Sequence, residues 1–485
     1  MSTISPNDAS YGLTLSVIGQ NQGSDSPGSS VFDLPIQTSS AQQERARSQQ
    51  LIDATPPTFA TEPPLSFVVI SGGTGGNAIC SAFGNACHYI LPVSDDGGSS
   101  SEIIRVLGGP SIGDIRSRLI RLIPSVPVSP PLDAIRRLLA YRLPAQASEQ
   151  EAREEWRQIV EGRNPLWQGI PSDRKETIRG FLVYFESELL KRAHKNFDFR
   201  NGSVGNYFLA AAQGFFRSLP SAIFLFSSIT NSQANILPVI VTNHTVTIAA
   251  ELEDGRRLVG QCEISHPVSQ EATPEITVSD PFSPVDGMGE VITPQRQNVM
   301  FEPKSKGDYE QLGSRISRLF YINAYGIEIH PSPNPEYLSS LASKDVLVYS
   351  CGSLWTSIIP CLALRGVAAG IARSSLLRAK ILLLNTKNDR ETDGYTAADY
   401  IHAMVRTLNA SYHTQPYGLG NANTTYPISA FVTDLVYLKG SKVFVDVQVV
   451  TGLGVKCLEI ECGKDGQEPS FDAEIVQRAI TAILA

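Results

Sequence analysis

Apolar and polar positions alternate along this chain in short runs. Phe67 to Ile70 is an apolar, β-branched run that stops at Ser71-Gly72-Gly73-Thr74-Gly75-Gly76; Ala78, Ile79, Ala82 and Phe83 then recur at helical spacing. A strand, a tight turn and a helix are predicted there. A second strand, His88 to Ser94, empties into Asp95-Asp96-Gly97-Gly98-Ser99-Ser100. Glu102 to Leu107 reads as helix, and Gly108-Gly109-Pro110 as the turn before another helix, capped near Asp114 and carrying Arg116, Arg118 and Arg121. One of the three could reach a phosphate, since guanidinium suits bidentate oxyanion contact, and a solvated basic face is the competing reading of Arg118 and Arg121. Ala145 to Lys195 is charged, helical in pattern and holds Trp156 and Trp167, whose rings are expected in a local core. Gly202 to Ala212 sets a glycine-bearing turn before a helix with Asn206 at its start, an N-cap or a reader of base or sugar edges.

Ile236 to Ala250 alternates as strands do, and Asp254-Gly255 marks a hairpin between Ala249–Leu252 and Leu258–Cys262. Val346 to Tyr349, Ile381 to Leu384 and Val443 to Val449 read as strands, and Ala397 to Leu408 and Phe471 to Leu484 as helices. Strand and helix in alternation predict an α/β fold, a doubly wound, mostly parallel sheet with helical and loop insertions. The layout expected is a disordered tail over 1–60 and one nucleotide-binding domain over 61–440, completed by a strand and helix over 441–485. The domain carries a helical insertion at about 144–200 and a polar loop insertion at about 265–312.

Composition narrows the classes. The 485 residues carry 40 basic against 48 acidic side chains, a net charge of −8 with no basic block, which disfavours nucleic acid as a partner. Seven cysteines without a C-x-x-C pair argue for reduced thiols and against a zinc site. No secretory leader pattern is seen and no apolar run is long enough for a membrane span, so a cytoplasmic protein is expected.

The candidate chemistry gathers at strand C-termini, where open α/β sheets bind ligands. Gly73, Thr74, Gly75, Gly76 and Asn77 form a candidate phosphate cradle, since glycines let backbone N–H groups approach an anion. Asp95 and Asp96 offer carboxylates at the end of the second strand, with the hydroxyls of Ser99 and Ser100 beside them, and Asp114 and Arg116 follow on the next turn. Gly352, Ser353 and Thr356 crowd hydroxyls and free N–H groups at one helix start, a second candidate anion site. The loop from Asn385 through Thr392 and Asp393 suits metal, ribose or base. Gly73 to Ala78 also fits G-x-G-x-x-A with Asp95 at the expected distance, which leaves an NAD-dependent oxidoreductase as an alternative; the Walker loop is excluded by the lack of Lys-Ser or Lys-Thr.

Seven motifs in order, SGGTGG, SDDGGSSS, GDIR, GNYFLAA, TNHTVTIAAELEDGR, GSLWTSIIP and ETDGYTAADYIHAM, resemble the CofD-like family. The resemblance covers Leu65 to Leu122 and, with gaps, Asn201 to Leu408, and it is nearer the gluconeogenesis-factor branch than the 2-phospho-L-lactate transferase branch. It implies a Rossmann-like fold and a UDP-sugar or other nucleoside diphospho-ligand, with a role in regulating carbon use or envelope growth. The transferase branch implies instead transfer of a phospholactyl group from a guanosine diphospho-donor with Mg²⁺. Carried onto this chain, Gly73 to Gly76 would bind diphosphate, and Asp95 and Asp96 would take ribose or Mg²⁺, with both as catalytic carboxylates and Asp96 as the metal ligand in an enzyme. Asn206, Gly352, Ser353 and Asn385 would line the cleft. Cys351 stands where the family usually has proline, and Asn77 where it has an apolar residue. The resemblance leaves room for a homodimer and for a protein partner met through the insertions.

Overall fold

In the computed structural model, residues 65–94, 97–124, 130–233, 235–266, 311–323, 325–410, 425–462 and 468–485 are described. The tail over 1–60 and most of the second insertion lie outside them. The described strands are β1 (Phe67–Ile70), β2 (Cys87–Leu91), β3 (Asn235–Pro238), β4 (Thr247–Leu252), β5 (Arg257–Val259), β6 (Ile316–Ile322), β7 (Glu328–Ile329), β8 (Val346–Tyr349), β9 (Ala379–Leu383), β10 (Asp434–Leu438) and β11 (Lys456–Ile460). Seven of them form one parallel sheet in the order β11-β10-β9-β8-β1-β2-β3. Helices cover it, so β1 and β8 are buried along their whole length, which is why both read as unbroken apolar runs. Val69 lies in register between Tyr89 and Val348.

The order reverses at β1. The chain leaves β1 toward β2 and β3 on one side, and the later strands β8 to β11 extend on the other. The C-terminal ends of β1 and β8 therefore flank a topological switch point, where loops diverge and leave a crevice. The other four strands form a separate antiparallel sheet, β5-β4-β6-β7. Its β4–β5 hairpin turns at the predicted Asp254-Gly255, with Gly255 at φ +85.

The first insertion is helical as expected, with helices Glu149–Val160 and Ser172–Leu190. Ser148 and Glu151 make a reciprocal capping box at the first. Trp156 is enclosed by Phe185, Phe199 and Tyr207, the core role expected of it. Arg142 and Ser203 form an antiparallel bridge, so the insertion's entrance and exit meet.

One element differs outright. The strand expected at Val443–Val449 is absent; Val447–Gly452 is a helix, because Asp446 accepts the Val449 N–H at 3.0 Å and caps it. The strands on either side of it, β10 and β11, supply the sheet's outer edge instead. All seven cysteines are free thiols. Among the described residues no helix is long and apolar enough to cross a membrane.

Candidate functional site

At the switch point the glycine turn is built against three other segments. A Cβ on Gly75 would lie 2.4 Å from the Cys351 carbonyl oxygen, one on Gly73 2.3 Å from Asp114 Oδ1, and one on Gly76 2.3 Å from Arg118 Nη2. At Gly75 the obstacle is backbone and glycine is required, whereas at Gly73 and Gly76 neighbouring side chains would have to shift. Gly73 precedes the short helix Thr74–Ile79. Asp114 is not the cap of the helix Gly113–Arg121 but lies in its first turn. Its carboxyl faces the Gly73 N–H, so the anion position at the turn is held by the chain itself. Burial pushes this acid up to about 6, against the opposing pull of Arg118, the Gly73 N–H and Arg116.

Arg118 corrects the expectation of a solvated face: it is fully buried. Its Nε donates to Asn77 Oδ1 at 2.8 Å, and Nη2 donates to Ser71 Oγ at 3.0 Å and the Gly72 carbonyl at 3.1 Å. The guanidinium also lies over the Tyr89 ring. Asn77 thus serves to hold Arg118, and it donates from Nδ2 to Ser117 Oγ at 2.7 Å. Arg121 is exposed.

The same helix carries Arg116 to a second cluster. Arg116 Nε donates to Asn206 Oδ1 at 2.9 Å, and Asn206 Nδ2 donates to Ser99 Oγ at 2.7 Å. Arg142 Nη1 reaches Ser99 Oγ at 3.4 Å and the Asn201 carbonyl at 3.0 Å. Ser99, Ser100 and Asn206 are buried. Asn206 sits inside its helix, where Ser203 holds the cap position. Burial, then the neighbouring Arg142, lower the Arg116 guanidinium to about 10, while Asp114 works the other way. Neither Arg116 nor Arg142 forms an ion pair among the described residues. Arg142 belongs to no motif; only its place at the edge of the insertion could have pointed to it.

Across the crevice, Gly352 at φ +140 turns the chain after β8. Its N–H donates to Asn385 Oδ1 at 2.8 Å and its carbonyl accepts from Asn385 Nδ2 at 2.7 Å, which locks this turn to the loop after β9. Ser353 occupies the cap position without a capping hydrogen bond from its side chain. The donors expected to bind a second anion are engaged by Glu391. Trp355 and Thr356 donate their backbone N–H groups to Oε2 at 3.0 and 3.1 Å, and Thr356 Oγ1 donates to Oε1 at 2.6 Å. Burial and the nearby Asp389 raise the Glu391 carboxyl above its ordinary range. Thr392 is buried and donates from Oγ1 to Asp389 Oδ1 at 2.8 Å, while Asp393 is exposed. Thr356 and Thr392 are therefore structural partners of internal carboxyls.

Asp95 and Asp96 lie outside the described residues. Asp114, the described carboxyl at the glycine turn, faces a backbone N–H and two arginines, surroundings that suit an acid or an anion rather than a cation.

The sequence model of the family described as 2-phospho-L-lactate transferase CofD matches residues 67–459. An uncharacterised protein of Saccharomyces cerevisiae is 33% identical over 433 residues, which cover 82% of this chain and 95% of that protein. A protein of Halalkalibacterium halodurans named gluconeogenesis factor is 24% identical over 341 residues, covering 70% of this chain and 72% of its own. Among solved structures, a UPF0052-family protein from Bacillus halodurans is alike in fold, with a TM-score of 0.54 at 20% identity over 86% of this chain and 99% of that one.

Proposed function

This chain belongs to the CofD family, and on that premise we propose that it binds a nucleoside diphospho-ligand, a UDP-sugar foremost, at the C-terminal edge of its parallel sheet. In this reading it acts as a cytoplasmic regulator of carbon or cell-wall metabolism, of the gluconeogenesis-factor type. The observation that carries the reading is the Arg116–Arg142 pair. Two guanidinium groups converge on the Ser99–Asn206 node; neither forms an ion pair among the described residues, and the buried Asp114 is the carboxyl that acts on Arg116. A diphosphate would add the countercharge that one buried carboxyl does not supply to two guanidinium groups, and accept from both forks at once. Relatives named as gluconeogenesis factors favour the regulatory role.

Calorimetric titration with UDP-N-acetylglucosamine tests this. Wild-type protein should bind, and Arg116→Gln should weaken binding at least tenfold. A wild-type chain that takes up neither this ligand nor UDP would sink the reading.

A second reading rests on the family's own description: Mg²⁺-dependent transfer of a phosphorus-linked group from a nucleoside diphospho-donor to an acceptor alcohol, whose oxygen bonds the phosphorus as the nucleoside monophosphate leaves, with Asp95 and Asp96 as the carboxylates and Asp96 as the residue that would hold the metal. Release of nucleoside monophosphate from such a donor, dependent on Mg²⁺ and lost in Asp96→Asn, would favour it over the regulator. Enhancement of NADH fluorescence would instead point to an oxidoreductase.

A further inference from the structure

A cleft of about 470 Å³ opens beside the arginine cluster, between the first insertion and the turn after the helix Gly98–Leu107. Its lining combines small residues, Gly108, Gly109 and Ala210, with Tyr184 and with charged side chains such as Glu188 and Arg192. Gly214 places no side chain on the Tyr184 ring, where a Cβ would meet only Tyr184 Cε1 at 3.8 Å, and the neighbouring Phe215 ring packs against it edge-on. Gln213 also lines the cleft, 9% exposed, with no hydrogen bond from its amide to any described residue. Gly109 is at φ +93, and a Cβ on it would stand 3.4 Å from both Nε2 and Oε1 of this amide. The amide oxygen and nitrogen of Gln213 are not cut off from solvent, so both are open within the cleft to pair with a ligand.

The cleft and the arginine cluster share two helices that pack side by side. On one, Ser99 belongs to the cluster and Ile103, a turn later, to the cleft. On the other, Asn206 belongs to the cluster, and Ala210 and Gln213 to the cleft, at i, i+4 and i+7 of one face. Seven helical residues span about 10 Å, the order of the distance from a nucleotide's terminal phosphate to the far edge of its base.

We infer that this cleft is the nucleobase subsite of the ligand held at Arg116 and Arg142, with Gln213 reading the base edge and Tyr184 lying against its face. Uracil suits it: its N3–H can donate to Oε1 while an adjacent carbonyl accepts from Nε2. The inference rests on the nucleoside diphospho-ligand reading and adds to it the residue that sets base preference.

The test compares UDP with inorganic pyrophosphate on the full chain, in wild type, Gln213→Ala and Gly214→Leu. The second variant obstructs the cleft from a helical position where a side chain has room and helix propensity improves. Wild type should bind UDP more tightly than pyrophosphate, and both variants should cut that ratio at least tenfold while retaining a wild-type melting profile. If wild type binds pyrophosphate and UDP alike, or if both variants keep the full preference for UDP, the base lies elsewhere and the inference fails while the anion site stands. If wild type binds neither, the anion-site reading falls and this one with it.

Discussion

Asp114 shows how much one side chain can decide here. Burial pushes its acid up to about 6, above an unfolded carboxyl near about 4. Between those values the folded chain keeps a proton that the unfolded chain has released. Stability therefore declines as pH rises from about 4 to about 6, and this group adds no further slope above. Asp114→Asn keeps an acceptor for the Gly73 N–H and removes the titration. Thermal scans should show the variant gaining on wild type across that window; a constant offset would mean Asp114 does not titrate there. Gly75 gives a steric counterpart. A methyl facing the Cys351 carbonyl has backbone in its way, so Gly75→Ala should cost about 1–3 kcal/mol, read as a lower urea midpoint. The glycine run is legible as a turn from its own residues. What presses on it is not, because Asp114 and Arg118 arrive from a later helix and no local pattern encodes that meeting.

Capping explains the larger surprises. Val447, Val449 and Val450 have strand propensity, yet Asp446 starts a helix there. Strand-like residues yielded to one carboxylate because little packing opposes it: Val447 and Val449 are exposed. β11 escaped notice for the opposite reason, since an edge strand with partly exposed residues shows neither alternation nor a fully apolar run. By contrast β1, β8 and β9, buried throughout, are plain in the sequence. Glu391 is the buried version of the same device, serving two N–H groups and a hydroxyl at once. Asp446→Ala should cost about 1 kcal/mol, and Glu391→Ala, which leaves buried donors unpaired, about 2–3 kcal/mol. Equal losses in denaturant melts would show that the Glu391 contacts are not formed in solution.

The parallel architecture follows from alternating strand and helix patterns, but the order of strands does not, and the order creates the crevice. It also ties the insertion to the site. Phe185 and Trp156 pack on Tyr207, and Phe181 on Phe208, in the helix that carries Asn206 and Gln213. Removing residues 144–200 should therefore abolish cooperative melting by circular dichroism, despite the bridged ends at Arg142 and Ser203; a sharp wild-type transition would make the insertion an accessory. The pairing of β1 with β8 reaches further still, joining Phe67 to Val346 across a separation of 279 residues. On a ribosome adding about 5–20 residues each second, β1 waits roughly 15–55 s for this neighbour. Through that interval one edge of a wholly apolar strand stands open, and the crevice has only one wall. A nascent chain of this protein therefore needs shelter for β1 well before it can hold any ligand.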